Sequence, residues 1–142
     1  MPPRLSLSSI KTADAAVLGQ IITLYRAQGW WAPGDKPALL KRLIKGSHCF
    51  LLAKKNGVLV GMGRAISDGV SDAYIQDVAV LRSERGTGAG SAIIKALKKR
   101  LKADGIGWIG LIAQDDSHSF YSRLGFRELK RAKPMLLKGS RV

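Results

Sequence analysis

The apolar positions of the chain change period several times, and each change marks a predicted element. Leu5 and Leu7 alternate with polar neighbours over residues 4–9, the two-residue period of a short strand. Val17, Leu18, Ile21, Ile22, Leu24 and Tyr25 then recur at helical spacing behind Asp14, a residue suited to capping, until Gly29 ends the run. Trp30 and Trp31 follow in a loop, and a second short helix is predicted over residues 38–44. Residues 49–54 and 58–65 read as strands joined by Asn56 and Gly57, which both tolerate positive φ and favour a two-residue hairpin turn. Residues 73–80 supply a third antiparallel strand. Further on, Ile93, Ile94, Leu97 and Leu101 share one helical face while Lys95, Lys98, Lys99 and Lys102 take the opposite one. The run WIGLIA, residues 108–113, suits a strand covered on both faces. A short helix over residues 117–124 stops at Gly125, and residues 126–129 and 135–138 read as final strands around Pro134.

This order predicts a mixed α/β (α+β) sheet: an antiparallel meander followed by a β-α-β crossover, with flanking helices. The chain of 142 residues has the size of one domain, and a single domain is expected over residues 1–142. Composition adds little to that picture, with 46% hydrophobic and 24% charged residues, ordinary for a globular protein. Cys49 is the only cysteine, which excludes an intramolecular disulfide and fits a buried small hydrophobe in a reducing compartment. The start of the chain lacks an apolar signal core, and nowhere do about 18 apolar residues run together, so a cytoplasmic protein without a membrane partner is expected. His48 and His118 stand far apart with no cysteine cluster, and no metal is predicted. The net charge does change the picture. At +14, with 24 Lys and Arg against 10 acids, the chain would attract polyanions or a phosphate-rich cofactor.

Candidate chemistry concentrates between the third strand and the lysine-faced helix. Gly86, Gly88 and Gly90 alternate immediately before the helix, so the backbone can turn tightly and approach a ligand without Cβ interference. The unpaired N–H groups and positive dipole end of the helix favour an anion there, most often phosphate. A nucleoside-triphosphate loop needs Gly-Lys-Ser/Thr at its end, and this one ends Gly88-Ala89-Gly90-Ser91. A dinucleotide fold needs a third glycine at Ser91 and a first strand rather than a meander before the loop. Neither reading fits.

Read as Arg-x-x-Gly-x-Gly, the stretch Arg85-Gly86-Thr87-Gly88-Ala89-Gly90 resembles the cofactor loop of the GNAT-type acyl-CoA N-acyltransferases. Phe120-Tyr121-Ser122-Arg123-Leu124-Gly125-Phe126 is similar to that family's Phe-Tyr-x-x-Leu-Gly-Phe motif. The two motifs and the elements between them cover most of residues 45–138. The resemblance implies a GNAT-like fold, acetyl-CoA as co-substrate and a primary amine acceptor. Backbone groups of Val78, Ala79 and Val80 would pair with the pantetheine arm as an added strand. Amides of Arg85, Gly86, Thr87, Gly88, Ala89, Gly90 and Ser91 would hold the pyrophosphate.

Within the resemblance, Tyr121 is the candidate acid for the leaving thiolate, placed near the cofactor sulfur. Gln76 stands where relatives often carry a glutamate base; glutamine cannot take a proton, and it could position a water. Asp77 is adjacent, but strand alternation sends it to the other face unless a bulge intervenes. Asp68, Asp72, Tyr74 or solvent are further destinations for the proton. The basic charge slightly favours an acidic or phosphorylated acceptor, and a homodimer is among the partners that the resemblance implies. Two other readings are a nucleic-acid-binding module using the lysine face, with steep salt dependence, and a catalytically silent CoA-binding regulator.

Overall fold

The computed structural model describes residues 4–141; residues 1–3 and 142, which the single-domain reading includes, lie outside it. The elements are β1 (Leu5–Ser9), α1 (Ala15–Ala27), α2 (Pro37–Gly46), β2 (Cys49–Lys55), β3 (Val58–Ser67), β4 (Asp72–Val80), a 3₁₀ turn (Arg82–Glu84), α3 (Ala89–Ala103), β5 (Trp108–Gly110) and α4 (His118–Ser122). One sheet carries the strands in the order β1-β2-β3-β4-β5. The first four are antiparallel neighbours and β4 and β5 are parallel, the crossover being made by α3.

Each helix forms where its apolar stripe has a sheet face to cover. In α1, Asp14 caps the first turn by accepting from the Val17 N–H at 2.9 Å, and Leu18, Ile21, Ile22, Leu24 and Tyr25 are buried. With Leu40 and Ile44 of α2 they pack on Phe50, Leu52, Met62 and Ala79. The opposite face carries Leu51, Ala53, Val60, Ala65 and Ile75, covered by Ile93, Ile94, Leu97 and Leu101 of α3. Burying each such side chain contributes about 1.5–3 kcal/mol. The approach of α3 to β3 is so close that a Cβ on Gly63 would lie 2.8 Å from the Ile93 side chain. The Asn56-Gly57 turn forms as expected, with φ of 51° and 76°.

Three expectations need correction. β5 is only three residues long, because its pairing with β4 ends at Tyr74 and Gly110, after which the two strands separate. It is not covered on both faces: Trp108 is exposed and its ring lies 5.1 Å from that of Tyr74. Residues 126–129 and 135–138 form no strands, since β5 ends the sheet and neither segment pairs with it. Finally, Lys98 does not join the solvated lysine face. Its ammonium donates to the Leu124 carbonyl and sits 5.9 Å from the centre of the Phe126 ring, tying α3 to the segment after α4.

Candidate functional site

The site is built where β4 departs from regular pairing. Arg64 faces Gln76 and Met62 faces Ala79 across the β3–β4 ladder, so one residue of β3 stands against two of β4. This is a bulge, and Asp77 adopts a left-handed φ of 54° within it. The extra residue resets alternation. Gln76 and Asp77 both turn toward the α1 face, while Val78 faces α3, its side chain lying near Gly63. The bulge that Asp77 required is therefore present. Pairing with β5 has already ended at Tyr74, so the sheet opens on both sides of Asp77 and Val78.

Two grooves meet at this opening. The first, about 530 Å³, is lined by Val78, Ala79 and Val80, by Arg85, Gly86, Gly88, Gly90 and Ser91, and by Phe120 and Arg123 from the motif after β5. The N–H groups of residues 86–91 have no hydrogen-bond partner among the described residues; the α3 ladder begins with the Ala92 N–H donating to the Gly88 carbonyl at 3.0 Å. Gly88, with φ 91°, makes the turn into the helix, a conformation that a side chain would strain. Six consecutive unpaired donors at a helix N-terminus form a cradle for a phosphate-bearing group. Thr87 and Ala89 hold the cradle rather than line it. The Thr87 hydroxyl donates to the Glu84 carbonyl at 2.6 Å, and Ala89 is buried.

The second groove, about 520 Å³, is a cleft between the separating strands, with Tyr74, Gln76 and Asp77 on one wall, Leu111, Ile112 and Asp115 on the other, and Trp30 at its edge. Gln28, Val78, Arg85 and Ser117 border both spaces. Trp30 serves two ends, since its ring also packs edge-on against Tyr25 at 6.0 Å and anchors the loop. Ser117 makes no side-chain capping bond to α4, so its hydroxyl is left to the grooves.

The most ordered polar group in the cleft is Asp77. Its Oδ2 accepts from the Tyr25 hydroxyl at 2.7 Å and from Arg64 Nε at 2.6 Å. Arg64 also reaches the Gln76 side-chain oxygen at 3.3 Å, bridging the two residues. Oδ1 has no partner among the described residues and is left for a ligand. Burial, and then the facing Asp77 charge, push the Tyr25 hydroxyl far above the usual tyrosine range, so it stays a donor. Tyr25 and Arg64 were not anticipated from the chain. A phenol inside a leucine-isoleucine stripe and a guanidinium inside the apolar run VLVGMGRAIS were the available signals, because buried polar ends need partners.

Other candidates are less well placed. The Asp68 carboxylate accepts from the Val70 and Ser71 N–H groups and the Ser71 hydroxyl, which hold it down at about 2; it organises its own loop. Tyr121 borders neither groove. Its ring is packed edge-on between Phe120 and Phe126, with centroids at 5.0 and 5.9 Å, and burial raises its hydroxyl above the ordinary value of 10.0. Among the described residues no three His, Cys, Asp or Glu side chains cluster as metal ligands would, and no helix is long and apolar enough to cross a membrane.

A bulged fourth strand, a donor-lined loop and a parallel crossover define an acyl-CoA-binding architecture, and the comparisons agree. Residues 18–126 match the acetyltransferase (GNAT) family, and the chain belongs to it. A putative acetyltransferase of Gibberella zeae is 32% identical over 124 residues, covering 71% of this chain and 67% of that protein. Serotonin N-acetyltransferase 2, chloroplastic, of Oryza sativa subsp. japonica is 39% identical over 98 residues, 66% of this chain and 49% of that protein. An uncharacterised N-acetyltransferase of Pyropia yezoensis is 41% identical over 78 residues, where the chain spans 45% of its length. Among solved structures, a GNAT family acetyltransferase of Streptococcus pneumoniae superposes with a TM-score of 0.81 at 23% identity, over 97% of this chain and all of that one, a likeness of fold.

Proposed function

We propose that the protein transfers the acetyl group of acetyl-CoA to a primary amine by direct attack within a ternary complex. The observation that carries this reading is the junction at Val78, where a donor-lined groove and an acid-bearing cleft meet at a break in the sheet. Unpaired amides of residues 86–91 receive the pyrophosphate, and the main chain of Val78, Ala79 and Val80 receives the pantetheine amides, so the thioester reaches the bulge. Acetyl-CoA supplies the activated acyl carbon. Asp77 Oδ1 holds the acceptor amine and takes its proton, with Tyr25 and Arg64 fixing the carboxylate. The N–H of Val78 polarises the thioester carbonyl. As the amine nitrogen bonds to the acyl carbon and the C–S bond breaks, the departing thiolate takes a proton; the nearest phenol to the cofactor groove is Tyr121, packed directly behind the groove-lining Phe120, and it is assigned this role, with solvent restoring the tyrosine afterwards. Gln76 keeps Arg64 in register and carries no proton.

The acceptor class follows from the cleft rather than from net charge. Although the chain carries +14, the cleft presents Asp77 and Asp115 with Tyr74, Trp30, Leu111 and Ile112. This supports a cationic amine with an apolar or aromatic body, the kind of acceptor for which the Oryza sativa relative, a serotonin N-acetyltransferase, is named. The test is acetyl-CoA consumption with arylalkylamines, polyamines, aminosugars and phosphorylated amines. An arylalkylamine is expected to give the highest kcat/KM. Asp77→Asn should lower kcat by about 10²- to 10⁴-fold while acetyl-CoA affinity stays constant. Normal turnover in that variant removes Asp77 from proton transfer, and a preference for phosphorylated amines overturns the acceptor assignment.

A further inference from the structure

The cofactor groove is built for anions, yet its lining includes an acid. Glu84 stands in the 3₁₀ turn just before the glycine loop and is the one carboxylate among the described residues that line the groove. Unpaired, it would set a negative charge beside the phosphates. Its Oε2 instead accepts from Lys55 Nζ at 2.7 Å, and with the lysine 22% and the glutamate 26% exposed the pair is partly withdrawn from solvent. Lys55 does not itself line the groove. It closes β2, where it stands opposite Val58 across the Asn56-Gly57 hairpin and opposite Leu5 of β1. The main chain of Glu84 is held as well. Its N–H donates to the Leu81 carbonyl at 2.9 Å, and its own carbonyl accepts from the Thr87 hydroxyl at 2.6 Å. Glu84 therefore joins the end of the sheet, through its side chain, to the donor loop, through its carbonyl.

On the reading that this groove takes acetyl-CoA, we propose that Lys55 is a positioning residue for the cofactor, acting through Glu84: its ammonium cancels the charge of the one acid in the cradle and draws that carboxylate toward the hairpin. The other cations of the groove do not share the task. Arg85 and Arg123 line it, but neither pairs with Glu84. A second use of the same contact, anchoring the loop to the sheet, has different consequences. An anchor fails whichever partner is removed, whereas a neutralising cation is needed only while the acid is present.

Calorimetric titration of the full chain with acetyl-CoA separates the two, in a cycle of Lys55→Met, Glu84→Gln and the double variant. Lys55→Met keeps the aliphatic stem and loses the charge. It should weaken acetyl-CoA binding about 10-fold at low salt but only about 2-fold at about 0.5 M salt, each against the native chain at the same salt, because screening replaces the lysine. In turnover with an arylalkylamine the loss should fall on KM for acetyl-CoA, with kcat unchanged. Glu84→Gln should bind at least as tightly as the native chain, and the double variant should return to within about 2-fold of native. Recovery with both partners gone has no explanation in unfolding. Lys54→Met, the neighbouring position of β2 with no ion pair among the described residues, removes the same charge and should leave affinity unchanged. Native affinity in Lys55→Met overturns the proposal. So does a double variant as weak as Lys55→Met, or an equal loss in Glu84→Gln, either of which makes the pair an anchor only. If the native chain binds no acetyl-CoA, the cofactor reading falls and this role with it, an outcome distinct from the others.

Discussion

Two connections, the loop that enters α3 and the segment that leaves α4, contrast in what completes them. In the first, everything needed is local. Glycines at alternate positions, a left-handed turn at Gly88 and the start of a helix lie within six residues and place their donors without outside help. In the second, residues 126–137 carry strand-like apolar content but have no strand beside them. The difference teaches that a local geometric motif carries its structure with it. A strand exists only when a neighbour does.

The largest effect should come from breaking the local motif. Gly88→Val forces a β-branched side chain into φ 91°, a strain of about 1–3 kcal/mol that the loop can relieve only by moving its donors. Acetyl-CoA affinity should fall on the order of 100-fold by calorimetry. Gly105→Val is the matched control, since Gly105 has φ 80° in the turn after α3, away from both grooves. It should cost similar stability with unchanged affinity. Equal loss of affinity in the two variants would mean that strain alone, and not the cradle, is being read.

A smaller effect is expected at Tyr121. Tyr121→Phe should reduce kcat by about 10- to 100-fold, at or below the lower limit of the general-acid range, because solvent can also protonate a thiolate. Acetyl-CoA affinity should hold. Burial raises the folded-state hydroxyl above 10.0, so the tyrosine stays protonated, and able to donate, throughout the neutral and mildly alkaline range. Native kcat should therefore show no alkaline decline from this group at neutral or mildly alkaline pH. A decline that begins there and disappears in the phenylalanine variant would contradict the buried acid.

These contrasts explain what was legible in the chain. The meander, the hairpin at Asn56-Gly57, the lysine-faced helix and the glycine loop were readable because each is set by spacing within a few residues. Val78, Ala79, Val80, Arg85, Gly86, Gly88, Gly90 and Ser91 fell on one groove for the same reason. Tyr25 and Arg64 were not foreseen as partners of Asp77, since they stand 52 and 13 positions away and meet it only through packing and a bulge. The bulge itself has no local signature, as YIQDVAV reads as plain alternation around a polar pair. WIGLIA was read as fully covered because apolar content reports the wish for a cover and not its source.

The smallest effect is the most direct test of how the sheet supports the site. Gly63 stands on β3 where Asp77 and Val78 bulge, and its missing side chain lets Ile93 and Leu97 of α3 rest on the backbone. Gly63→Ala would bring a methyl group to 2.8 Å from Ile93 and 3.2 Å from Leu97. Overpacking of this kind costs about 1–3 kcal/mol, readable as a lower midpoint in denaturant. Relief requires α3 to lift away from the sheet, and α3 carries the last donors of the cradle while β4 carries the acceptor side. If the two grooves are held in register by that contact, Gly63→Ala should raise KM for acetyl-CoA and amine together by a few-fold, beyond any loss explained by unfolding. A variant equally destabilised from the far side, such as Ile44→Val behind α2, should leave both KM values alone. Should the two variants behave alike, close packing of α3 serves stability only, and the bulge alone aligns the grooves.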